Sequence, residues 1–112
     1  MIFYVAIFRP NNFDHAREIT EEVMADIDRL NDEMVAAGIR IFVGGLQSCG
    51  LAKFIKRGAD NSVTVTDGPV LESTNFVDGF WVLELPTIKD AVDWGKKAAA
   101  ACRGTVEVRP FH

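Results

Sequence analysis

The chain has 112 residues, of which 48% are hydrophobic and 25% are charged, and its formal net charge is −4. This length and composition predict a single globular domain over residues 1–112 and exclude an intrinsically disordered chain. The acidic balance argues against nucleic acid as a partner, because phosphate binding needs clustered Lys and Arg, and the one basic cluster (Lys53, Lys56 and Arg57) is short.

Residues 2–8 are apolar throughout, which predicts a central strand covered on both faces. The run is too short to span a membrane and lacks the features of a signal peptide, so we expect no membrane partner. The two cysteines, Cys49 and Cys102, show no CxxC or Cys/His spacing. Without an export signal, the sequence predicts a cytoplasmic protein with reduced thiols.

Apolar residues recur at steps of three and four from about Asp14 to Ala37, which predicts one amphipathic helix. Asn12 or Asp14 can cap its start, and Gly38 suits the left-handed position after its end. A second helix is predicted to begin at Thr87, with Asp90 three residues on, and to end at Gly104. The remaining patterns predict strands at 39–46, 51–57, 62–66, 80–85 and 105–109, of which 51–57 and 62–66 form a hairpin.

The predicted order is β-α-β, a hairpin insertion, and β-α-β, which is the split βαβ or ferredoxin-like α+β arrangement. Two helices cover only one face of such a sheet, yet strands 2–8 and 80–85 carry apolar residues on both faces. Since a large open apolar face is costly, we expect a homodimer in which a second copy covers it. The alternative is that the hairpin or the 70–78 loop folds over this face.

Strand alternation predicts that polar residues meet on the face away from the helices. If Val106 and Val108 face the helices, Glu107 and Arg109 point the other way, and Glu84 joins them from strand 80–85. Tyr4 belongs to the same group if its neighbours in the first strand face the helices. These residues either form structural ion pairs across the sheet or line a pocket for an anionic or hydroxylated small molecule.

A set of motifs resembles the DGPF-motif branch of the YCII-related family. The set comprises Val65-Thr66-Asp67-Gly68-Pro69-Val70-Leu71-Glu72, Gly79-Phe80, Val106-Glu107-Val108-Arg109-Pro110, Gly38, Gly45-Leu46, Ala91 and Trp94. The resemblance implies a ferredoxin-like protomer assembled as a dimeric α/β barrel. One related member is a dehydrochlorinase of a hydroxylated aromatic ring, and some members are encoded beside or fused to extracytoplasmic-function sigma factors. A sigma factor is therefore a candidate partner.

The resemblance also implies a His–Asp pair, with the His near the start of the first helix and the Asp after the second strand. His15 matches the first position, and an imidazole can act as acid or base near neutral pH. Residues 45–49 contain no acidic side chain, so Asp67 is the candidate partner if the hairpin folds back. Otherwise His15 is an exposed helix residue, and Asp67 and Glu72 either form a tight corner or lie at the pocket rim.

No phosphate-loop motif follows a strand, and the two histidines have no metal-ligand spacing, so the sequence predicts neither cofactor nor metal. Two functions remain open. The first is a dimeric module that binds a small molecule. The alternative is a cofactor-independent enzyme, such as a lyase, dehydrochlorinase or isomerase, that acts on a small polar or aromatic substrate with His15 as acid/base.

Overall fold

The computed structural model describes residues 1–68 and 74–112, so the predicted ligand-binding residue Glu72 lies outside the described residues. Three helices are seen: α1 (His15–Glu18), α2 (Glu21–Ala36) and α3 (Ile88–Cys102). The strands are β1 (Ile2–Pro10), β2 (Arg40–Gly45), β3 (Lys53–Arg57), β4 (Val63–Asp67), β5 (Asn75–Glu84) and β6 (Thr105–Pro110). In the described part of the chain, no helix has the length and apolarity needed to cross a bilayer.

Four of the strands form one antiparallel sheet in the order β2-β5-β1-β6. This order is compatible with the ferredoxin-like arrangement, with β3 and β4 inserted between its second and third strands. As predicted, β3 and β4 form a hairpin, which is a separate two-stranded sheet. The predicted α+β class and the central position of the first strand are confirmed.

The first helix is not continuous, and the prediction of a single helix from Asp14 to Ala37 is wrong. Asp14 caps α1 by accepting a hydrogen bond from the Ala16 N–H at 3.1 Å. The chain then breaks at Thr20, which takes an extended conformation and caps α2 by accepting from the Val23 N–H at 3.3 Å. A threonine hydroxyl competes for backbone donors, so it starts a new helix here although the apolar spacing continues across the break.

The predicted end of α3 at Gly104 is wrong by one residue. Arg103 itself takes the left-handed conformation, with φ of 52°, and its N–H bonds to the Ala99 carbonyl. Gly104 has a different role, because a Cβ placed there would lie only 2.9 Å from Nη1 of Arg9 and 3.1 Å from Cγ2 of Ile7. The missing side chain at Gly104 therefore makes room for the guanidinium of Arg9.

The core lies between the sheet and the helices on one face. Phe3 and Leu83 are fully buried there, and Met34 of α2 packs with them. Trp81 and Leu85 are also in this core, and Val106 and Val108 pack against it, so the predicted facing of β5 and β6 is confirmed. The side chains that alternate with these core residues along the strands point to the opposite face of the sheet.

Candidate functional site

A cavity of about 260 Å³ opens between the sheet and the helices, at the end of the sheet where α1 begins. Its polar side chains are Arg9, His15, Asn31 and Asp78, and the rest of its lining is apolar or glycine. A concave apolar site with a few convergent polar groups is typical of a small-molecule site. This cavity is therefore the candidate functional site.

Asp78 reaches the cavity through an irregularity in β5. In the pairing with β1, Ile7 lies opposite Gly79 and Phe8 lies opposite Val77, so Asp78 has no partner residue and forms a bulge. A bulge changes the direction of a side chain relative to simple alternation, and bulges are frequent beside active sites. Here it directs the Asp78 carboxylate to the helix side of the sheet, where Arg9 and His15 lie.

His15 and Asp78 form a close pair, with 2.6 Å between Nε2 of the imidazole and Oδ1 of the carboxylate. An ionised carboxylate can only accept a hydrogen bond, so Nε2 is the donor in this pair, and in a neutral imidazole the lone pair is then on Nδ1. The ring of Phe13 packs edge-on against the imidazole, with 4.8 Å between ring centroids. The carboxylate and the phenyl ring together fix the orientation of a half-exposed histidine.

Arg9 holds Asp78 from inside the fold. Its side chain is only 3% exposed, and its Nε donates to Oδ2 of Asp78 at 3.4 Å. Nη1 donates to the backbone carbonyl of Arg103 at 3.0 Å, and the guanidinium lies over the Phe13 ring at 4.4 Å. A buried charge requires such compensation. Arg9 thus joins β1, β5 and the end of α3 beneath the His15–Asp78 pair.

Glycines form the part of the cavity wall where β2 meets β5. A Cβ on Gly79 would lie 2.9 Å from the Gly44 carbonyl oxygen and 3.2 Å from the Gly45 Cα. The two strands can approach this closely because Gly79 carries no side chain. The Gly44-Gly45 pair and Gly79 therefore leave open space beside Asp78 instead of filling it.

The YCII-related domain matches residues 2–112, almost the entire chain. The chain belongs to the YCII-related family. It is also 26% identical over 115 residues to an uncharacterised protein of Rhizobium meliloti (strain 1021), a similarity that covers 99% of this chain and 92% of that protein. The family resemblance expected from the motifs is confirmed, while assignment to its DGPF-motif branch stays a prediction.

The structure of this YCII-related protein brings His15 together with an acidic residue that the sequence did not point to. Asp67, the predicted partner, lies in β4, where its Oδ1 accepts from Nζ of Lys53 at 2.6 Å. Its side chain is exposed and does not line the cavity. The carboxylate beside His15 is that of Asp78, which precedes the Gly79-Phe80 pair.

Of the polar residues predicted to meet on the opposite face, Tyr4, Glu107 and Arg109 are neighbours. Tyr4 lies opposite Arg109 in the β1–β6 pairing, and Nη2 of Arg109 donates to Oε1 of Glu107 at 3.3 Å. Burial, and then the negative charge of Glu107, raise the pKa of Tyr4, while Arg109 lowers it. Glu84 lies opposite Ile2 at the end of β5. These residues lie on the other side of the sheet from His15.

Cys102 of α3 is buried and lines the candidate functional site, which we call the His15 cavity. Burial is the main cause that raises the pKa of its thiol to about 11, while Arg9 lowers this value and Asp78 raises it. The thiol is therefore protonated at neutral pH, and a protonated thiol is a poor nucleophile. In the described residues, no group of three or more His, Cys, Asp and Glu side chains is placed to hold a metal ion.

We expect the Cys102 thiol to make stability depend on alkaline pH. The unfolded chain loses this proton at about pH 9 and the folded chain at about pH 11, so rising pH favours unfolding across that interval. The contribution of the protonated Cys102 thiol to the free energy of unfolding is fully present below pH 9. At pH 10.5 this contribution is smaller by about 2 kcal/mol. Urea unfolding at pH 8 to 10.5 tests this against Cys102→Ala, which lacks the effect, and Cys49→Ala, which keeps it. Parallel pH profiles for all three proteins would contradict it.

Proposed function

We propose that this YCII-related protein is a homodimeric small-molecule-binding protein and a cofactor-independent enzyme, in which His15, held by Asp78, transfers a proton to or from the bound molecule. The observation that supports it is the 2.6 Å contact between His15 Nε2 and Asp78 Oδ1 at the edge of a cavity. Acid–base chemistry at His15 is favoured by a carboxylate partner, which residues 45–49 lack and Asp78 supplies.

The geometry suits acid–base chemistry. Asp78 fixes the tautomer of His15 and stabilises the imidazolium that forms when Nδ1 takes a proton. Arg9 holds Asp78 in place through the contact at 3.4 Å, and its own side chain is only 3% exposed. Arg9 is therefore a positioning residue, while His15 is the group that would touch the substrate. Dehydrochlorination and many lyase and isomerase reactions include such a proton transfer.

Exchange of substrate hydrogen for solvent deuterium tests this directly. A panel of small hydroxylated aromatic and carbonyl compounds in D₂O is followed by proton NMR, with chloride release measured for the halogenated members. We expect His15→Ala to slow exchange at least ~100-fold, since general acid–base catalysis contributes about 10²–10⁴ in rate. His112→Ala is the matched control, because His112 is the other histidine and lies exposed at the end of the chain.

Unchanged exchange in His15→Ala would refute the proposed role of His15. Binding of a panel compound without any exchange would instead identify the protein as a binding module, the first of the two functions that the sequence left open. Folding of His15→Ala is verified by circular dichroism, so that a lost activity is not mistaken for an unfolded protein.

The dimer in this proposal is supported by aromatic side chains on the sheet face away from the helices. Phe80 contacts both Tyr4 and Phe42, with ring centroids 5.7 and 5.6 Å apart, and Phe42 is still 51% exposed. The radius of gyration is 16.0 Å, compared with about 13 Å for a compact domain of this length. An extended protomer with an open aromatic face is typical of a subunit whose core is completed by a second copy.

We expect native mass spectrometry to give a mass of two chains, and Phe42→Glu to give one chain, because it places a charge on the aromatic face of the proposed interface. Ile55→Glu is the control, since Ile55 is an equally apolar, exposed residue on the β3–β4 hairpin. A single-chain mass for the unmodified protein would contradict the dimer. It would leave the aromatic face available to another protein, such as a sigma factor.

A further inference from the structure

We infer that a second cavity, at the base of the β3–β4 hairpin, binds the apolar aromatic part of the same molecule whose hydroxyl group meets His15. This inference rests on the proposed function and adds the class of ligand to it. The second cavity has a volume of about 550 Å³ and lies where the chain leaves β2 for the hairpin. We call it the hairpin-base cavity.

The two cavities adjoin one another. Leu46 lines both, and its N–H donates to the backbone carbonyl of Asp78 at 2.8 Å. Consecutive residues of β5 divide between them: Phe76 and Val77 line the hairpin-base cavity, and Asp78 and Gly79 line the His15 cavity. A molecule that extends past Leu46 along β5 therefore passes from one cavity into the other.

The volumes indicate that the His15 cavity is only part of a ligand site. Its 260 Å³ lies below the range of about 300–1,000 Å³ that is usual for ligand pockets, whereas the hairpin-base cavity falls within that range. A molecule confined to the first cavity would be very small. A second binding region gives it the apolar contact area from which most affinity for such ligands derives.

The lining of the hairpin-base cavity selects the chemistry of that part of the ligand. Its apolar wall is formed by Leu51, Ala52 and Phe54 on the hairpin side and by Phe76 and Val77 on the sheet side. Leu51 is 66% exposed and Phe54 is partly exposed, so each has apolar surface that a ligand can cover. The two phenylalanines of this lining favour a flat aromatic group, which can stack against or meet the edge of either ring.

The charges around His15 select the other end of the molecule. The positive charge of Arg9 is paired with the carboxylate of Asp78, so with a neutral His15 the site has no surplus cation for a buried carboxylate. The Nδ1 lone pair of His15 can accept a hydrogen bond from an O–H group. The ligand class is therefore a hydroxylated compound with an apolar aromatic extension, and not an aromatic acid.

Phenol and 4-phenylphenol are the probes that test this inference. Both present the same hydroxyl head, but only the second carries a ring long enough to enter the hairpin-base cavity. We expect NMR titration to show 4-phenylphenol binding at least tenfold more tightly, with nuclear Overhauser contacts from its outer ring to the methyl groups of Leu51 and Ala52. We expect Leu51→Asp to lower the affinity for 4-phenylphenol to that for phenol and to leave the affinity for phenol unchanged. Ile55→Asp is expected to change neither affinity.

The outcomes separate this inference from the proposed function. Equal affinity of the two probes, with both weakened by His15→Ala, would overturn the hairpin-base subsite and leave the role of His15 standing. Contacts from the outer ring to the opposite face of the sheet, near Tyr4 and Arg109, would also overturn it. Failure of both probes to bind would refute the ligand class, while deuterium exchange with the wider panel decides the role of His15 independently.

Discussion

Replacing Arg9 with methionine is expected to lower the free energy of unfolding by about 3–5 kcal/mol, the largest stability effect of any single change considered for this protein. Methionine keeps much of the side-chain volume but removes the charge. The Asp78 carboxylate then loses its buried cation, and the Arg103 carbonyl loses its donor at 3.0 Å. Urea unfolding measures the loss.

The control for this prediction is Arg29→Met. Arg29 also pairs with an aspartate, with 2.8 Å between its Nη1 and Oδ1 of Asp26, but this pair is three residues apart on the exposed surface of α2. Exposed pairs of this kind contribute about 0–1 kcal/mol. In the double variant Arg9→Met/Asp78→Asn, part of the stability should return, because no unpaired charge remains. Equal losses for Arg9→Met and Arg29→Met would contradict the structural role of Arg9.

Replacing Asp78 with asparagine is expected to slow proton exchange on the substrate by about 10²–10⁴, with little change in the size of the side chain. An asparagine amide can donate a hydrogen bond to Nε2 of His15. The proton of the neutral imidazole then moves to Nδ1, and the nitrogen that should accept the substrate proton is no longer basic. The amide also provides no negative charge to stabilise the imidazolium.

Asp67→Asn is the informative comparison, because the sequence alone favours that carboxylate as the partner of His15. We expect its exchange rate to stay within about twofold of the unmodified protein, since Asp67 bonds to Lys53 in the hairpin. Rates are compared under conditions where both variants are folded, as judged by urea unfolding. Loss of exchange in Asp67→Asn with full activity in Asp78→Asn would reverse the assignment.

The elements that could be predicted from the sequence are those set by local patterns. The apolar run of β1, the β3–β4 hairpin and the apolar spacing of α2 and α3 all occur as expected. The break at Thr20 was missed because the apolar spacing continues through it. Whether a threonine hydroxyl caps a new helix or faces solvent depends on how the chain packs, and periodicity alone does not record this.

The candidate site was harder to predict, because its members meet only in the folded chain. His15 was identified because it matches the histidine that the family resemblance implies near the start of the first helix. Asp78 was missed because the sequence predicted a loop at 70–78 and a strand only from residue 80, whereas β5 begins at Asn75. Within β5, a bulge directs Asp78 to the helix side of the sheet, and alternation alone does not show where such a shift in pairing occurs. Arg9, followed by Pro10, reads as the end of a strand. Its partners, Asp78 and Arg103, lie 69 and 94 residues away.

The central position of β1 bears on the order in which the chain can fold. Phe3 lies opposite Leu83 on one side and opposite Pro110 on the other, so both partner strands of β1 lie far along the chain. During synthesis on the ribosome, the apolar segment 2–8 would emerge long before either partner strand. Contacts between such distant residues close large loops, which slows folding. This segment would therefore be the part of the nascent chain most in need of chaperone protection.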